Sequence, residues 1–247
     1  MSVLIEVDRL TKSFGPFIAV DDISFSLKRG EVLGFLGPNG AGKTTTMRMI
    51  TGFLSPTKGN ISVCGHDVSE YPIEIKEKIG YVPEGAPLYG EMTVMNFLKF
   101  IAKIRKIPKN KINDAIHNVI KKLGLELVLY QQVETLSKGY KRRVGLSQAI
   151  IHDPDVLILD EPTDGLDPNQ KHEVRKLIKE MASTKAIIIS THILEEVDAV
   201  CTRAMIIAKG RMIVDKSPKD LLIGSPEGAS LDDVFRTLTI GNPGENL

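Results

Sequence analysis

The feature that most constrains the fold is a glycine-rich stretch at residues 37–44, which reads GPNGAGKT. The pattern G-x-x-x-x-G-K-[ST] is typical of loops that bind phosphate groups. Glycines let the backbone turn where a side chain would clash, so that successive N–H groups can point at a polyphosphate. An apolar run at residues 31–36 precedes the loop and a helix-like run at 44–50 follows it. This strand–loop–helix order predicts a nucleoside triphosphate site and argues against a glycine-rich turn that binds nothing.

Composition places few other limits on the chain. Its 247 residues are 42% hydrophobic and 26% charged, as in an ordinary globular protein with one large α/β domain or two small ones. Lys plus Arg number 32 and Asp plus Glu 31, which gives no overall electrostatic case for binding nucleic acid. The two cysteines, Cys64 and Cys201, lack metal-ligand spacing, so we expect neither a disulfide nor a cysteine-bound zinc ion, in keeping with a reducing cytoplasm.

Nothing in the sequence indicates that the chain enters a membrane by itself. The first residues show no basic segment followed by an apolar one, so no signal peptide is expected. The apolar runs are far shorter than the roughly 20 residues needed to span a bilayer. Work at a membrane would therefore require a partner.

The second half of the predicted site follows the apolar run at residues 156–159, which ends in Asp160 and Glu161. A continuous apolar run suits a parallel strand buried on both faces. Lys43 of the glycine-rich loop would approach the β- and γ-phosphates, while Thr44 and Asp160 would hold Mg²⁺. Glu161 would polarise the attacking water as a general base. The alternative is a solvated acidic turn that ends a strand.

One histidine is singled out by its position. His192 follows another buried-strand pattern at residues 186–190, and ligands collect at the carboxyl ends of strands in open α/β sheets. We therefore predict that His192 contacts the γ-phosphate or the attacking water. The remaining histidines lie in predicted turns or on polar helix faces and receive no role: His66, His117, His152 and His172.

Other segments indicate the layout of the fold. Strand patterns at residues 3–7 and 23–27 flank a turn with Phe14 and Phe17. An aromatic ring there could stack on a nucleotide base or cover the small β-sheet, and spacing alone favours packing in the core. Helical stripes between residues 93 and 123, separated by Pro108, predict an all-helical insertion. A further amphipathic helix is predicted over 168–182.

The most diagnostic stretch is residues 136–140, which read LSKGY and precede an apolar-striped helix. Ser137 can cap that helix and Gly139 permits close backbone approach, which together make an anion site. The chain already has a complete phosphate site. A second one makes sense if it serves a nucleotide held mainly by another subunit.

These motifs together resemble the ATPase subunits of ATP-binding cassette (ABC) transporters over nearly the whole chain. Residues 136–140 are similar to the family's signature motif, Leu-Ser-Gly-Gly-Gln, about 20 residues before the Walker B strand. The resemblance implies an α/β P-loop NTPase core with an N-terminal antiparallel β-subdomain and an inserted α-helical signature subdomain. It further implies one nucleotide-binding domain over residues 1–238. Core and β-subdomain would occupy 1–84 and 154–222, the helical subdomain 85–153, and a C-terminal extension and tail 223–247.

The resemblance also implies the roles of individual residues. Glu161 and His192 would be catalytic, and the site of the metal ion would consist of Thr44, Asp160 and Glu84. ATP would be bound by Phe14, Gly37, Pro38, Asn39, Gly40, Ala41, Gly42, Lys43, Thr44 and Thr45. The ATP of a second copy would be contacted by Ser137, Lys138, Gly139 and Asp167. For Phe14, stacking on adenine replaces the core packing that spacing alone favours.

The implied cofactors are ATP and Mg²⁺. The implied partners are a second ATPase subunit, identical or paralogous, and a separate transmembrane permease, with no nucleic acid. The chain would be peripheral, on the cytoplasmic face of the cell membrane.

Glu84 stands where the family usually has glutamine, and this feature and residues 231–239 resemble the type-2 exporter branch. Lys138 and Tyr140 depart from the signature motif. Residues 241–244 are expected to form a loose tail.

Two rival classes are considered. The first is a soluble ABC-type ATPase of translation or DNA maintenance, but the chain has one P-loop and neither a long coiled coil nor a zinc module. A basic cluster could be offered as its nucleic-acid patch, although a solvated helix face is favoured: Lys138, Lys141, Arg142 and Arg143. The second is a small-molecule P-loop kinase, which leaves the signature stretch unexplained.

Overall fold

The computed structural model describes residues 2–85, 87–223 and 230–240. The predicted loose tail at 241–244 lies outside these residues. The strands are β1 (Val3–Phe14), β2 (Phe17–Lys28), β3 (Val32–Leu36), β4 (Lys58–Val63), β5 (His66–Asp67), β6 (Ile79–Val82), β7 (Val156–Asp160), β8 (Ala186–Thr191), β9 (Arg203–Ala208) and β10 (Arg211–Lys216). The α-helices are α1 (Lys43–Ile50), α2 (Pro72–Lys78), α3 (Val94–Ile104), α4 (Ile112–Leu123), α5 (Lys138–Ile150), α6 (Pro168–Ala182), α7 (Leu194–Val200), α8 (Pro218–Leu221) and α9 (Leu231–Ile240).

The N-terminal part forms an antiparallel sheet, whose strand order within the described residues is β2-β1-β4-β5. The predicted strands at 3–7 and 23–27 are only parts of β1 and β2. Both strands run on to the hairpin turn, where Phe14 pairs with Phe17. The apolar alternation stops earlier than the strands do, because backbone hydrogen bonds between β1 and its neighbours continue through polar residues.

The second sheet has the order β10-β9-β3-β8-β7-β6 in the described part of the chain. β6, β7, β8, β3 and β9 are parallel, and β10 pairs with β9 in the antiparallel sense. Every residue of β3, β7 and β8 is buried, as the continuous apolar runs predict. Because these strands are parallel neighbours, the residues that follow each of them meet at one edge of the sheet.

The predicted helical insertion contains α3, α4 and α5, with Pro108 between α3 and α4. Phe97 of α3 and Val119 of α4 belong to the same buried cluster as Leu157 of β7 and Leu177 of α6. The helical region and one face of the second sheet therefore share a continuous apolar core. The predicted boundaries near residues 85 and 153 remain a prediction.

The C-terminal helix α9 is amphipathic and packs on a small buried apolar cluster that is separate from the larger clusters of the fold. Leu231, Phe235 and Leu238 of α9 pack with Leu194 and Cys201 against this cluster. Nowhere in residues 2–85, 87–223 or 230–240 does a helix have both the length and the apolar content that a bilayer crossing requires.

Candidate functional site

The glycine-rich loop leaves β3 and leads into α1, as predicted. A Cβ atom at Gly37 would lie 2.4 Å from the carbonyl oxygen of Ile207, and one at Gly42 would lie 2.5 Å from that of Ala19. Gly42 also has a φ of +105°, a conformation that side chains disfavour. Among the residues that the structure describes, no side chain caps the start of α1 at Gly42. The first N–H groups of α1 therefore have no side-chain competitor for an anion.

Lys43 lies at the centre of the site. Its side chain is buried, and its Nζ donates hydrogen bonds to the carbonyl oxygens of Gly37, at 2.6 Å, and Pro38, at 3.2 Å. Burial lowers the pKa of Lys43. The nearby carboxylates oppose this shift, and Glu161 and then Asp160 have the largest opposing effects. The fold therefore brings the acidic residues close to this ammonium group although more than a hundred residues separate them in sequence.

Thr44 and Asp160 form an oxygen-rich pair between α1 and β7. The Thr44 hydroxyl lies 3.1 Å from Oδ2 of Asp160, and Asp160 is 1% exposed. Hydroxyl and carboxylate oxygens are ligands that Mg²⁺ prefers, together with phosphate oxygens and water. This pair fits a magnesium ion shared with a triphosphate. Glu84 follows β6 as an exposed residue and is near enough to act on the charge of Lys43.

Glu161 and His192 connect the ends of β7 and β8. The Glu161 N–H donates to the carbonyl oxygen of Ser190 at 2.9 Å, and its side chain lies 2.9 Å from Nδ1 of His192. Glu161 has a φ of +48°, in the left-handed region that costs free energy for a residue with a side chain. The surrounding contacts hold this strained backbone in place.

Phe14 lies at the end of β1 and is 50% exposed. The core packing that spacing alone favours is therefore wrong for Phe14, and also for Phe17, which is 61% exposed. The Nζ atom of Lys12 lies 5.2 Å from the centre of the Phe14 ring, and Phe14 lines the same groove as Thr45 of α1. Stacking on a base stays a prediction.

The remaining predicted residues form a second cluster at the starts of α5 and α6. Ser137 caps α5, as predicted, by accepting a hydrogen bond from the N–H of Tyr140, and Asp167 caps α6 by accepting one from Gln170. A Cβ atom at Gly139 would lie 2.5 Å from the Gln170 side chain, so the two helix starts are in close contact. No hydrogen bond or ion pair within the described ranges joins this cluster to Lys43 or Thr44.

Two of the basic residues of α5 do not belong to the solvated face that the sequence suggests. Lys138 pairs with Asp164 at 3.6 Å, Arg142 donates to the carbonyl oxygen of Glu161, and Arg143 donates to that of Leu123. Arg142 and Arg143 are half-buried, so the expectation is wrong for these two. Sequence reasoning missed the place of Arg142 beside the catalytic candidate. The available signal was its spacing of four residues from Lys138, which puts both on one side of a helix.

A phosphate-binding loop beside adjoining acidic residues on parallel strands defines a P-loop nucleoside triphosphatase. The family described as ABC transporter matches residues 20–164, more than half of the 247-residue chain. The chain belongs to this family and is an ATP-binding, ATP-hydrolysing subunit of an ABC transporter.

Similar proteins agree with this assignment. The uncharacterized ABC transporter ATP-binding protein YhcH of Bacillus subtilis is 39% identical over 89% of this chain and 72% of its own length. The Nod factor export ATP-binding protein I of Cupriavidus pinatubonensis is 34% identical over 95% of this chain and 72% of its own length. These relatives favour the transport interpretation over the soluble ATPase and the kinase.

Solved structures confirm the predicted fold. A structure described as the ATP binding subunit of an ABC transporter superimposes with a TM-score of 0.87 at 30% identity, and the match covers 95% of this chain and 99% of the other. The dimeric ABC transporter cassette MJ0796 superimposes with a TM-score of 0.80, over 87% of this chain and 98% of that one. The latter is 20% identical and bears on the fold alone.

Proposed function

We propose that this subunit closes as a head-to-tail dimer on two Mg-ATP molecules and drives a separate membrane permease, as part of an exporter. One observation carries the proposal. Lys43, Thr44, Asp160 and Glu161 lie together at the glycine-rich loop. The capped start of α5 at Ser137 is a separate candidate anion site, and no hydrogen bond or ion pair among the described residues joins it to Lys43 or Thr44. In a dimer of two copies in opposite orientation, the glycine-rich loop of each copy would face the start of α5 of the other copy, so that each ATP site consists of two half sites. Two-fold symmetry permits such a closed arrangement.

The first half site would hold ATP in its own chain. Backbone N–H groups of the loop and the Lys43 ammonium would receive the phosphates, and Phe14 would stack on adenine. Mg²⁺, held by Thr44 and Asp160 with help from Glu84, would neutralise charge that develops on the phosphates. The loop residues proposed to contact ATP are Gly37, Pro38, Asn39, Gly40, Ala41, Gly42, Lys43, Thr44 and Thr45.

Hydrolysis needs a group that takes a proton from the attacking water. Glu161 is our candidate for this general base, because its carboxylate is partly shielded and lies near Lys43 and Asp160. His192 would orient Glu161 and sense the γ-phosphate. The distance of 2.9 Å between Nδ1 of His192 and Oε1 of Glu161 supports this role.

The second half site would serve the ATP of the partner chain. Ser137, Gly139 and Asp167 lie at the starts of α5 and α6, where partial positive charge favours a phosphate. Lys138 adds a full positive charge at the same end. ATP would close the dimer because it binds the closed state better than the open one, and hydrolysis would reopen it.

The membrane partner would dock in the groove of about 1520 Å³ that lies between α1 and α2 on one side and α3 and α4 on the other. Phe53, Ile73 and Ile104 line this groove and are 72%, 63% and 56% exposed. Exposed apolar side chains around one concavity are typical of an interaction site. We infer that a cytoplasmic segment of the permease occupies the part of the groove lined by these three residues and leaves Phe14 and Thr45 to ATP, which would hold this subunit at the cytoplasmic face of the membrane. The relative named for Nod factor export supports the exporter direction.

The test is an affinity capture of tagged Glu161→Gln from detergent-solubilised native membranes in the presence of ATP. We expect to recover a polytopic membrane protein in stoichiometric amount, identified by mass spectrometry. The same capture with Ile104→Glu added should lose this partner. Leu127→Glu is the matched control, because Leu127 is 83% exposed and does not line the groove. Recovery of ribosomal or DNA-associated proteins alone would contradict the proposal.

A further inference from the structure

The start of α5 is tied to the turn that carries Glu161 by two cations. Lys138 and Arg142 lie one helical turn apart and reach the segment that follows β7. The Nζ atom of Lys138 lies 3.6 Å from Oδ2 of Asp164. It also covers Gly165, where a Cβ atom would lie only 1.7 Å from Nζ.

The second cation acts on the backbone of Glu161 itself. Arg142 donates a hydrogen bond to the Glu161 carbonyl oxygen, which also accepts the N–H of Asp164 at 3.3 Å. On the other side, the Glu161 N–H donates to Ser190. Since Glu161 has a φ of +48°, a less populated conformation, these contacts are what hold it there.

We propose that Lys138 and Arg142 are positioning residues that make the hydrolytic competence of Glu161 depend on the position of α5. The inference rests on the proposed function. In the head-to-tail dimer, the Ser137 end of α5 contacts the ATP of the partner, whereas Glu161 acts on the ATP of its own chain. One rigid helix therefore joins the two ATP sites through contacts within a single chain.

The two cations have different tasks in this arrangement. Arg142 holds the backbone of Glu161 in place and thereby fixes the orientation of the carboxylate. Removal of the Arg142 side chain should therefore lower the rate of ATP hydrolysis more than it weakens ATP binding. Lys138 holds Asp164 and covers Gly165, so a shift of α5 moves the turn after Glu161. ATP bound at one site thereby favours the active geometry at the other, which is positive cooperativity.

The experiment compares steady-state ATP hydrolysis and ATP binding for Arg142→Ala, Arg142→Lys and the neighbouring control Lys141→Ala. We expect Arg142→Ala to lower kcat at least tenfold while KM and ATP affinity change less than twofold. Arg142→Lys should recover part of the rate, because lysine can still donate to the Glu161 carbonyl. Thermal unfolding of each variant shows that it is folded. A kcat for Arg142→Ala equal to that of Lys141→Ala overturns this role.

A double-mutant cycle tests the role of Lys138. Lys138→Ala and Asp164→Ala should each lower the Hill coefficient for ATP hydrolysis towards 1, and the double variant should lower it no further. If Lys138→Ala has its full effect in the Asp164→Ala background, the residue acts on the partner's ATP alone and the coupling is overturned. A wild type that hydrolyses ATP as a monomer overturns the proposed dimer together with the coupling. A dimer-forming wild type whose variants keep their Hill coefficient overturns the coupling alone.

Discussion

Nδ1 of His192 lies 2.9 Å from Oε1 of Glu161, although the two residues follow different strands. The Glu161 side chain is 12% exposed and that of His192 is 56% exposed. The histidine therefore covers a shielded carboxylate and remains accessible to a ligand. This relationship leads to the first two predictions.

Glu161→Gln should abolish turnover and preserve ATP binding. The amide keeps the shape of the side chain but cannot take a proton from water, so we expect kcat to fall at least about 100-fold. Because ATP is then not consumed, the closed dimer should accumulate, which light scattering with ATP and Mg²⁺ measures. A protein that stays monomeric at saturating ATP, in wild type and variant alike, would count against the dimer.

His192→Ala should lower kcat about 100-fold and leave the affinity for ATP nearly unchanged, because the residue acts on the reacting groups and not on the nucleotide as a whole. Single-turnover hydrolysis and equilibrium nucleotide binding separate the two effects. The control is His172→Ala, since His172 is exposed on α6. Equal rates for the two variants would remove His192 from the mechanism.

Lys43→Ala should weaken ATP binding by roughly ten- to a hundredfold, because it removes a charged hydrogen-bond donor from the phosphate site. Titration with a fluorescent ATP analogue measures the change. The comparison is Lys58→Ala, which removes an exposed lysine of β4 and keeps the same net charge as the test variant. If both variants bind ATP equally well, Lys43 does not face the phosphates.

Phe14→Ala should reduce the affinity for ATP roughly tenfold, in line with about 1–3 kcal/mol for stacking between a base and an aromatic ring. Phe17 is the natural control, because it pairs with Phe14 across the hairpin and is also exposed, at 61%. Competition binding with ATP measures both variants. An effect of Phe17→Ala as large as that of Phe14→Ala would indicate that the hairpin matters and not the individual ring.

Stability should fall as the pH decreases from about 6.5 towards 4. Burial, with repulsion from Arg105, lowers the pKa of His152 from 6.5 in the unfolded chain to about 4 in the fold. Between these values the unfolded state binds more protons, so this contribution is fully present above about pH 6.5 and is lost on acidification. The difference corresponds to about 3 kcal/mol at most.

Urea unfolding at several pH values measures this dependence. His152→Gln should flatten the pH dependence of the unfolding free energy, because glutamine does not titrate and can still donate to the Ile79 carbonyl that His152 contacts. His117→Gln, at an exposed position of α4, should leave the slope as in the wild type. An unaltered slope in His152→Gln would assign the pH dependence to other groups.

Local patterns predicted much of the fold and of the site. The helix predicted over 168–182 has these same bounds as α6, and Ser137 caps α5 as expected. The phosphate-loop pattern predicts Lys43 and Thr44. The ends of buried strands predict Asp160, Glu161 and His192, and neighbouring parallel strands bring such residues together. The prediction that Phe14 stacks on adenine comes from the family resemblance, because spacing alone favours packing in the core.

The sequence by itself determined the phosphate loop, the buried parallel strands and the acidic residues after them, because these depend on short-range geometry and on burial. Only the tertiary structure decided how far β1 and β2 extend, that Phe14 is exposed, and that Arg142 contacts the Glu161 backbone. The physical reason is that such contacts join residues distant in the chain through side-chain torsions and backbone pairing. No local pattern of residue types contains that information.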